Sequence, residues 1–184
     1  MIDIYLVRHG EAAASWGQAP DPGLSPLGHE QAIAAGRALQ PKLTGETVRL
    51  ISSPLSRALE TAAPLASELG LAVTIDDAFR EIKAPVPLAE RQAWLRQFMK
   101  QRWDQQPQSL HEWREQALLQ LLAMDSPAVV FTHFLVINAV VGQIRAAQET
   151  LCCWPDNGSM THLRSDGERL ELVTLGAQMS TVVN

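Results

Sequence analysis

Arginine, histidine, serine and threonine recur in this chain just behind short apolar runs, and together they describe a site for an anion. Arg8 and His9 follow the run at 2–7, Ser52, Ser53 and Arg57 follow the run at 48–51, and Thr132 and His133 follow the run at 128–131. A guanidinium can grip two oxygens of one anion, and a neutral imidazole can serve as nucleophile. Two arginines and two histidines at one point repel one another unless a dianion lies between them, and phosphate is the dianion that suits such a set. Glu81, in "FREIK" behind a fourth run at 72–75, adds a carboxyl. Burial or a neighbouring anion raises the pKa of such a group toward ambient pH, where it can protonate a leaving oxygen. These residue types can support in-line attack by His9 on phosphorus. Arg8, Arg57 and His133 would hold the equatorial oxygens, Glu81 would act as acid, and water would resolve the phosphohistidine.

The stretches converge only if their runs are strands of one sheet. Apolar runs with β-branched residues at 2–7, 48–51, 72–75 and 128–131 alternate with helical periodicities, which predicts an α/β domain with a largely parallel sheet. In such sheets ligands bind beyond the carboxyl ends of the strands, the edge where these residues would lie. Helices are predicted over 26–43, with Ser25 as N-cap, and over 55–69, with Ser53 as cap and Pro54 in the first helical position. Further helices are predicted over 87–105, 110–123 and 134–146. Arg57 then falls in a first helical turn, where free amides and the helix dipole already favour an anion. A hairpin over 160–165 and 168–175, turning at Asp166–Gly167, closes the chain and offers an edge strand to a second copy.

Composition narrows the partners. At 184 residues, 46% of them apolar, the chain reads as one globular domain spanning 1–184. No stretch approaches the ~20 apolar residues of a membrane helix, and the first run is too short for a signal peptide; a cytoplasmic protein without a membrane partner is expected. The net charge is −5 with no long basic cluster, so a nucleic-acid partner is not expected. Cys152 and Cys153 are the only cysteines, and adjacent residues are poorly placed to bridge each other. They are read as free thiols.

The ordered motifs resemble one family. "VRHGE" near the N-terminus, "LSPLGHEQA" at 24–32, "SSPLSRALETA" at 52–62, the glutamate of "FREI" and the "TH" closing a late apolar strand are similar to the histidine phosphatase superfamily, also called phosphoglycerate mutase-like. The resemblance implies a three-layer α/β/α sandwich, His9 as the phosphorylated histidine, Arg8, Arg57 and His133 as the phosphate pocket, and Glu81 as proton donor. It implies no metal and no other cofactor. A phosphorylated small molecule or a phosphoprotein is the implied substrate.

The chain departs from the family pattern in places. Ser15 stands where members commonly carry an asparagine, and a serine there can still contact phosphate. Phe134 and Asn138 replace a glycine and an arginine after the second histidine, and "EIKAPVPLAERQAW" lacks the glycine, tryptophan and second acid often found after the glutamate. Only 51 residues separate Glu81 from His133, so the helical cap expected over 83–116 is short, which favours hydrolysis over the mutase reaction. A binding module with little turnover is the reading from another class. Trp94, Leu95, Phe98 and Met99 recur at helical spacing and read as a helix packing on the core; in the alternative, one aromatic stacks on the substrate. Lys83 and Arg91 read as solvated cations, with a second anionic group as the alternative ligand. His29, His111 and His162 read as surface or hairpin residues, Glu11 as a local partner, and "DNGS" at 156–159 as a turn. A metal held by His9, His133 and Glu81 is disfavoured by the two arginines beside it.

Overall fold

The computed structural model describes residues 1–15, 17–43 and 47–180. The first strand, β1 (Ile2–Arg8), shows why the sheet is covered on both sides: Ile4 and Leu6 face one cluster of buried residues, and Tyr5 and Val7 face another. Successive strand residues point to opposite faces, so a run apolar at every position needs a layer on each face. Parallel to β1 runs β4 (Ala128–Thr132), and parallel to β4 run β2 (Arg49–Ser52) and then β3 (Val73–Ile75). On the other side of β1, β5 (Met160–Ser165) and β6 (Leu170–Thr174) are antiparallel, giving the order β3-β2-β4-β1-β5-β6. The expected hairpin is present, with Gly167 at φ 90° in its turn and β6 at the sheet edge.

Helices α1 (Pro26–Leu39) and α2 (Ser56–Leu69) cover one face, where Ala35, Leu39, Ala58, Ala62 and Leu65 meet Tyr5, Val7, Leu50 and Phe131. The later helices α4 (Gln108–Leu122) and α5 (Phe134–Ile144) cover the other, where Leu121, Val136, Ile137 and Val140 meet Ile4, Leu6 and Val130. This is the expected three-layer α/β/α sandwich with a mostly parallel sheet. Register fixes the edge that matters: Arg8 lies opposite Thr132, and Ser52 opposite Phe131. His9, Ser53 and His133 therefore leave the sheet side by side.

Three helix boundaries differ from the sequence reading. α1 keeps its Ser25 cap, whose hydroxyl accepts from Gly28 N at 3.0 Å, but gives way at Leu39 to a 3-10 turn through Pro41; proline cannot donate to a continuing helix. α2 begins at Ser56, not at Pro54, and Ser53 does not cap it. Its first amide and hydroxyl, Ser56 N and Oγ, instead donate to the two carboxylate oxygens of Asp21 at 2.8 and 2.7 Å. A distant loop thus satisfies the helix start. The predicted helix at 87–105 is interrupted: α3 spans only Arg91–Phe98, and Trp103 begins a separate 3-10 turn. Trp103 N donates to Gln148 O at 2.8 Å and its ring is buried, so tertiary bonding draws the chain out of the helix.

The segment 88–110 packs its apolar side on α5: Leu95, Phe98, Trp103 and Leu110 meet Leu135 and Ala139. Trp94 stacks on Phe98 at 5.2 Å between centroids, Phe98 meets Trp103 edge-on at 5.8 Å, and Trp113 Nε1 donates to Arg80 O. The packing reading holds for these tryptophans. Among the described residues, no helix is long and apolar enough to cross a membrane.

Candidate active site

His9 occupies the centre of the strand edge, only 4% exposed. Its Nδ1–H donates to Gly10 O at 2.6 Å, and Arg57 Nε–H donates to its Nε2 at 3.1 Å. The backbone bond leaves the proton on Nδ1 and the lone pair on Nε2, the atom that faces the guanidinium. Gly10 is required by a close approach: a Cβ there would collide with the carbonyl of Gly28, at the start of α1. Gly10 N donates to Thr61 Oγ1 at 3.0 Å, which ties the loop after β1 to α2. The turn at 156–159 clamps the same loop from the other side. Arg8 N donates to Ser159 O, Gly158 N to Arg8 O, and Asn157 Nδ2 to His9 O at 3.1 Å. The sequence reading had assigned this stretch only a turn.

His133 is fully buried, and its ring meets that of His9 at 5.2 Å between centroids. Its Nε2 lies 2.7 Å from Ser53 Oγ. His133 Nδ1 and Arg8 Nε are buried without a hydrogen-bond partner among the described residues. Buried orphans of this kind are uncommon in native proteins. Trp103 Nε1 and Ser159 Oγ are also without a partner among the described residues, but the orphans of His133 and Arg8 lie together beside His9. Arg8 Nη1 donates to Pro155 O at 2.9 Å and reaches Met179 Sδ at 3.1 Å, while its guanidinium lies over the Phe134 ring at 5.1 Å. Glu81 is 3% exposed, and its two carboxylate oxygens accept from Ile82 N at 3.1 Å and Leu135 N at 3.2 Å.

The electrostatics follow from this burial. Desolvation, with Arg57 and Arg8 alongside, pushes His9 down to about 3, and desolvation, with His9 and then the arginines alongside, holds His133 well below the usual imidazole range. Both rings are neutral near pH 7. Burial raises the pKa of Glu81 above that of an ordinary carboxyl, against the downward pull of Leu135 N–H and Arg57. A neutral imidazole with a directed lone pair, two guanidiniums and a carboxyl whose pKa is raised by burial thus share one buried edge.

Two expected contacts fare differently. Thr132 is correctly placed beside His133, but its buried hydroxyl donates to Phe79 O at 2.9 Å. It fastens the end of β4 to the segment before Glu81 and does not face the anion site; the register that aligns His9 with His133 turns the preceding side chain elsewhere. Ser15 is exposed and lines a cleft of about 280 Å³ that has Arg8 in its wall. A second cleft, of about 430 Å³, is lined by Glu81 together with Lys83, Arg91 and Asp77. Glu11 pairs locally, as expected, accepting from Ser25 Oγ at 2.8 Å. His162 stacks on Tyr5 and meets Asp3 on the hairpin, and His29 is exposed.

Sequence comparison assigns the chain to a family. Residues 4–178 match the histidine phosphatase superfamily (branch 1). The chain belongs to this superfamily. Among curated relatives it is 37% identical over 82 residues to the glucosyl-3-phosphoglycerate phosphatase of Mycolicibacterium vanbaalenii, covering 42% of this chain and 35% of that one. It is 36% identical over 99 residues to a probable phosphoglycerate mutase, GpmB, of Salmonella paratyphi C, covering 50% and 43%. These matches span less than half the length of either relative. Among solved structures, the native mycobacterial glucosyl-3-phosphoglycerate phosphatase superimposes with a TM-score of 0.73 at 25% identity, over 97% of this chain and 100% of that one. Within this superfamily member the residues missed by sequence reading are Asn157, Thr61, Asp21, Phe134 as a cleft wall, and Met179. The "DNGS" glycine, at φ 72°, was the one local signal available.

Proposed function

We propose that this chain is a metal-independent phosphomonoesterase that works through a phosphohistidine at His9. The carrying observation is the tautomer of His9: its proton is committed to Gly10 O, and its Nε2 lone pair points toward Arg57 amid two guanidiniums and a second neutral imidazole. A phosphoester arriving there displaces the Arg57–His9 bond, its anionic oxygens taking up Arg8, Arg57 and His133. Nε2 attacks phosphorus in line, the bond from phosphorus to the leaving oxygen breaks, and Glu81 gives its proton to that oxygen. Water then attacks the phosphohistidine, Glu81 takes a proton from it, and inorganic phosphate leaves with His9 restored. The two guanidiniums stabilise the charge that develops on the equatorial oxygens, the part a metal ion would otherwise play. The substrate is a phosphorylated small molecule, in keeping with the modest size of the clefts beside Arg8 and Glu81. A cytoplasmic setting accords with the free thiols of Cys152 and Cys153.

The test is p-nitrophenyl phosphate with excess chelator. Turnover that survives EDTA, vanishes in His9→Ala and leaves an acid-labile phosphoprotein in rapid quench is the expected result. Undiminished turnover in His9→Ala overturns the mechanism. Transfer of phosphate between positions of phosphoglycerate, without net release, would instead assign the mutase reaction.

A further inference from the structure

We infer that the 280 Å³ cleft beside Arg8 is the leaving-group site and that it selects phosphomonoesters of apolar alcohols, alkyl or aryl, over those bearing carboxylates or several hydroxyls. This rests on the phosphomonoesterase reading above. The cleft adjoins both ends of the chemistry. Arg8 is part of its wall, and so is Leu135, whose backbone N–H holds Glu81 Oε2. Glu81 itself lines the other cleft, so Leu135, which lines this one and holds Glu81 Oε2, is the contact that ties the acid to it.

The carbon skeleton of an ester seated here meets an apolar wall. Among the described residues, Leu95, Met99, Phe134, Leu135 and Met179 supply the hydrophobic lining. The polar groups, Ser15, Gln92 and Arg96, are all exposed to solvent, so they offer no buried partner for a hydroxyl or carboxylate pressed into the cleft. A polar group buried without a partner is disfavoured, whereas apolar surface buried there is favoured. In the proposed reaction Arg8 is committed to the phosphoryl oxygens, its Nη1 is taken by Pro155 O and Met179 Sδ, and Phe134 covers its face. A 150 Å³ apolar cavity holds a benzene ring, so this one has room for a substituted ring or a short alkyl chain. Arg96, the second arginine of this cleft, is exposed to solvent, whereas the other cleft is lined by Arg80, Lys83 and Arg91 together with Glu81. That cleft is the competing destination for an anionic leaving group.

The test compares phosphate release by the full chain from ethyl, butyl and hexyl phosphate with release from glycerol 3-phosphate and 3-phosphoglycerate, alkyl esters that all depart from an alcohol oxygen. kcat/KM is expected to rise about fourfold per methylene over the first few carbons and to exceed that for 3-phosphoglycerate at least tenfold for hexyl phosphate. Met179→Gln, at an exposed position, and Met99→Gln should each flatten the chain-length series. A flat series with 3-phosphoglycerate preferred, and that preference lost in Lys83→Ala, overturns the inference and leaves the phosphomonoesterase reading standing. If no ester is hydrolysed, the reading fails, and calorimetry still decides the cleft. Hexylphosphonate binding at least tenfold tighter than 2-carboxyethylphosphonate supports it, and equal or reversed affinities overturn it.

Discussion

Ser53 Oγ and His133 Nε2 meet at 2.7 Å although 80 positions separate them in the chain. The serine that the sequence suggested as a helix cap instead orients the second imidazole of the phosphate site, which leaves His133 Nδ1 free and buried. Ser53→Ala removes that bond. Losing one buried hydrogen bond of this type costs about 1–2 kcal/mol, so the inhibition constant of inorganic phosphate should rise about tenfold. An unchanged constant would show that the ring is held by packing alone.

In the proposed reaction Glu81 sets the alkaline limit of activity. Its pKa is raised by burial, so it keeps its proton to higher pH than an ordinary carboxyl, and kcat/KM falls as pH climbs through that raised value. Glu81→Gln should lower kcat/KM on alkyl phosphates by about 10²–10⁴ and abolish the alkaline limb. The loss should be much smaller on p-nitrophenyl phosphate, whose leaving group needs little protonation. Equal losses on both substrates would remove Glu81 as the proton donor.

His9 and His133 couple folding to pH. Both are held neutral in the folded chain, His9 down to about 3, while in the unfolded chain they titrate near 6.5. A depressed folded pKa contributes stability that is present above the unfolded value and is lost as pH falls toward the folded one. Urea unfolding should therefore show a loss of a few kcal/mol between about pH 6.5 and 4. His9→Gln should lose measurably less over that window, because the variant has one fewer imidazole to protonate. Added phosphate should offset part of the loss by binding the folded state.

Gly10 is fixed by contact. A Cβ there meets backbone of α1 that cannot yield, so Gly10→Ala should destabilise by about 3 kcal/mol and lower Tm by roughly 6–12 °C. Gly17→Ala, where nothing lies within 4 Å of the added Cβ, is the control and should melt within about 1 °C of the parent. Similar Tm values for the two variants would refute the tight approach of Gly10 to Gly28.

The residues of the candidate site and the layers that hold them were legible in sequence for a local reason. Strand runs such as 2–7 and 128–131 record their burial in side-chain type, and a parallel sheet brings the ends of such runs to one edge whatever the loops do. Arg8, His9, Arg57, Glu81 and His133 could therefore be picked out with no coordinates, as could the Ser25 cap of α1. What the tertiary structure decided was who partners whom. Asp21 rather than Ser53 caps α2, Trp103 leaves its helix for Gln148, Thr132 turns to Phe79, and Asn157 and Thr61 brace the loop of His9. Each of those bonds joins polar groups far apart in sequence. The great majority of buried donors and acceptors find a partner, but only the folded chain determines which one lies close enough.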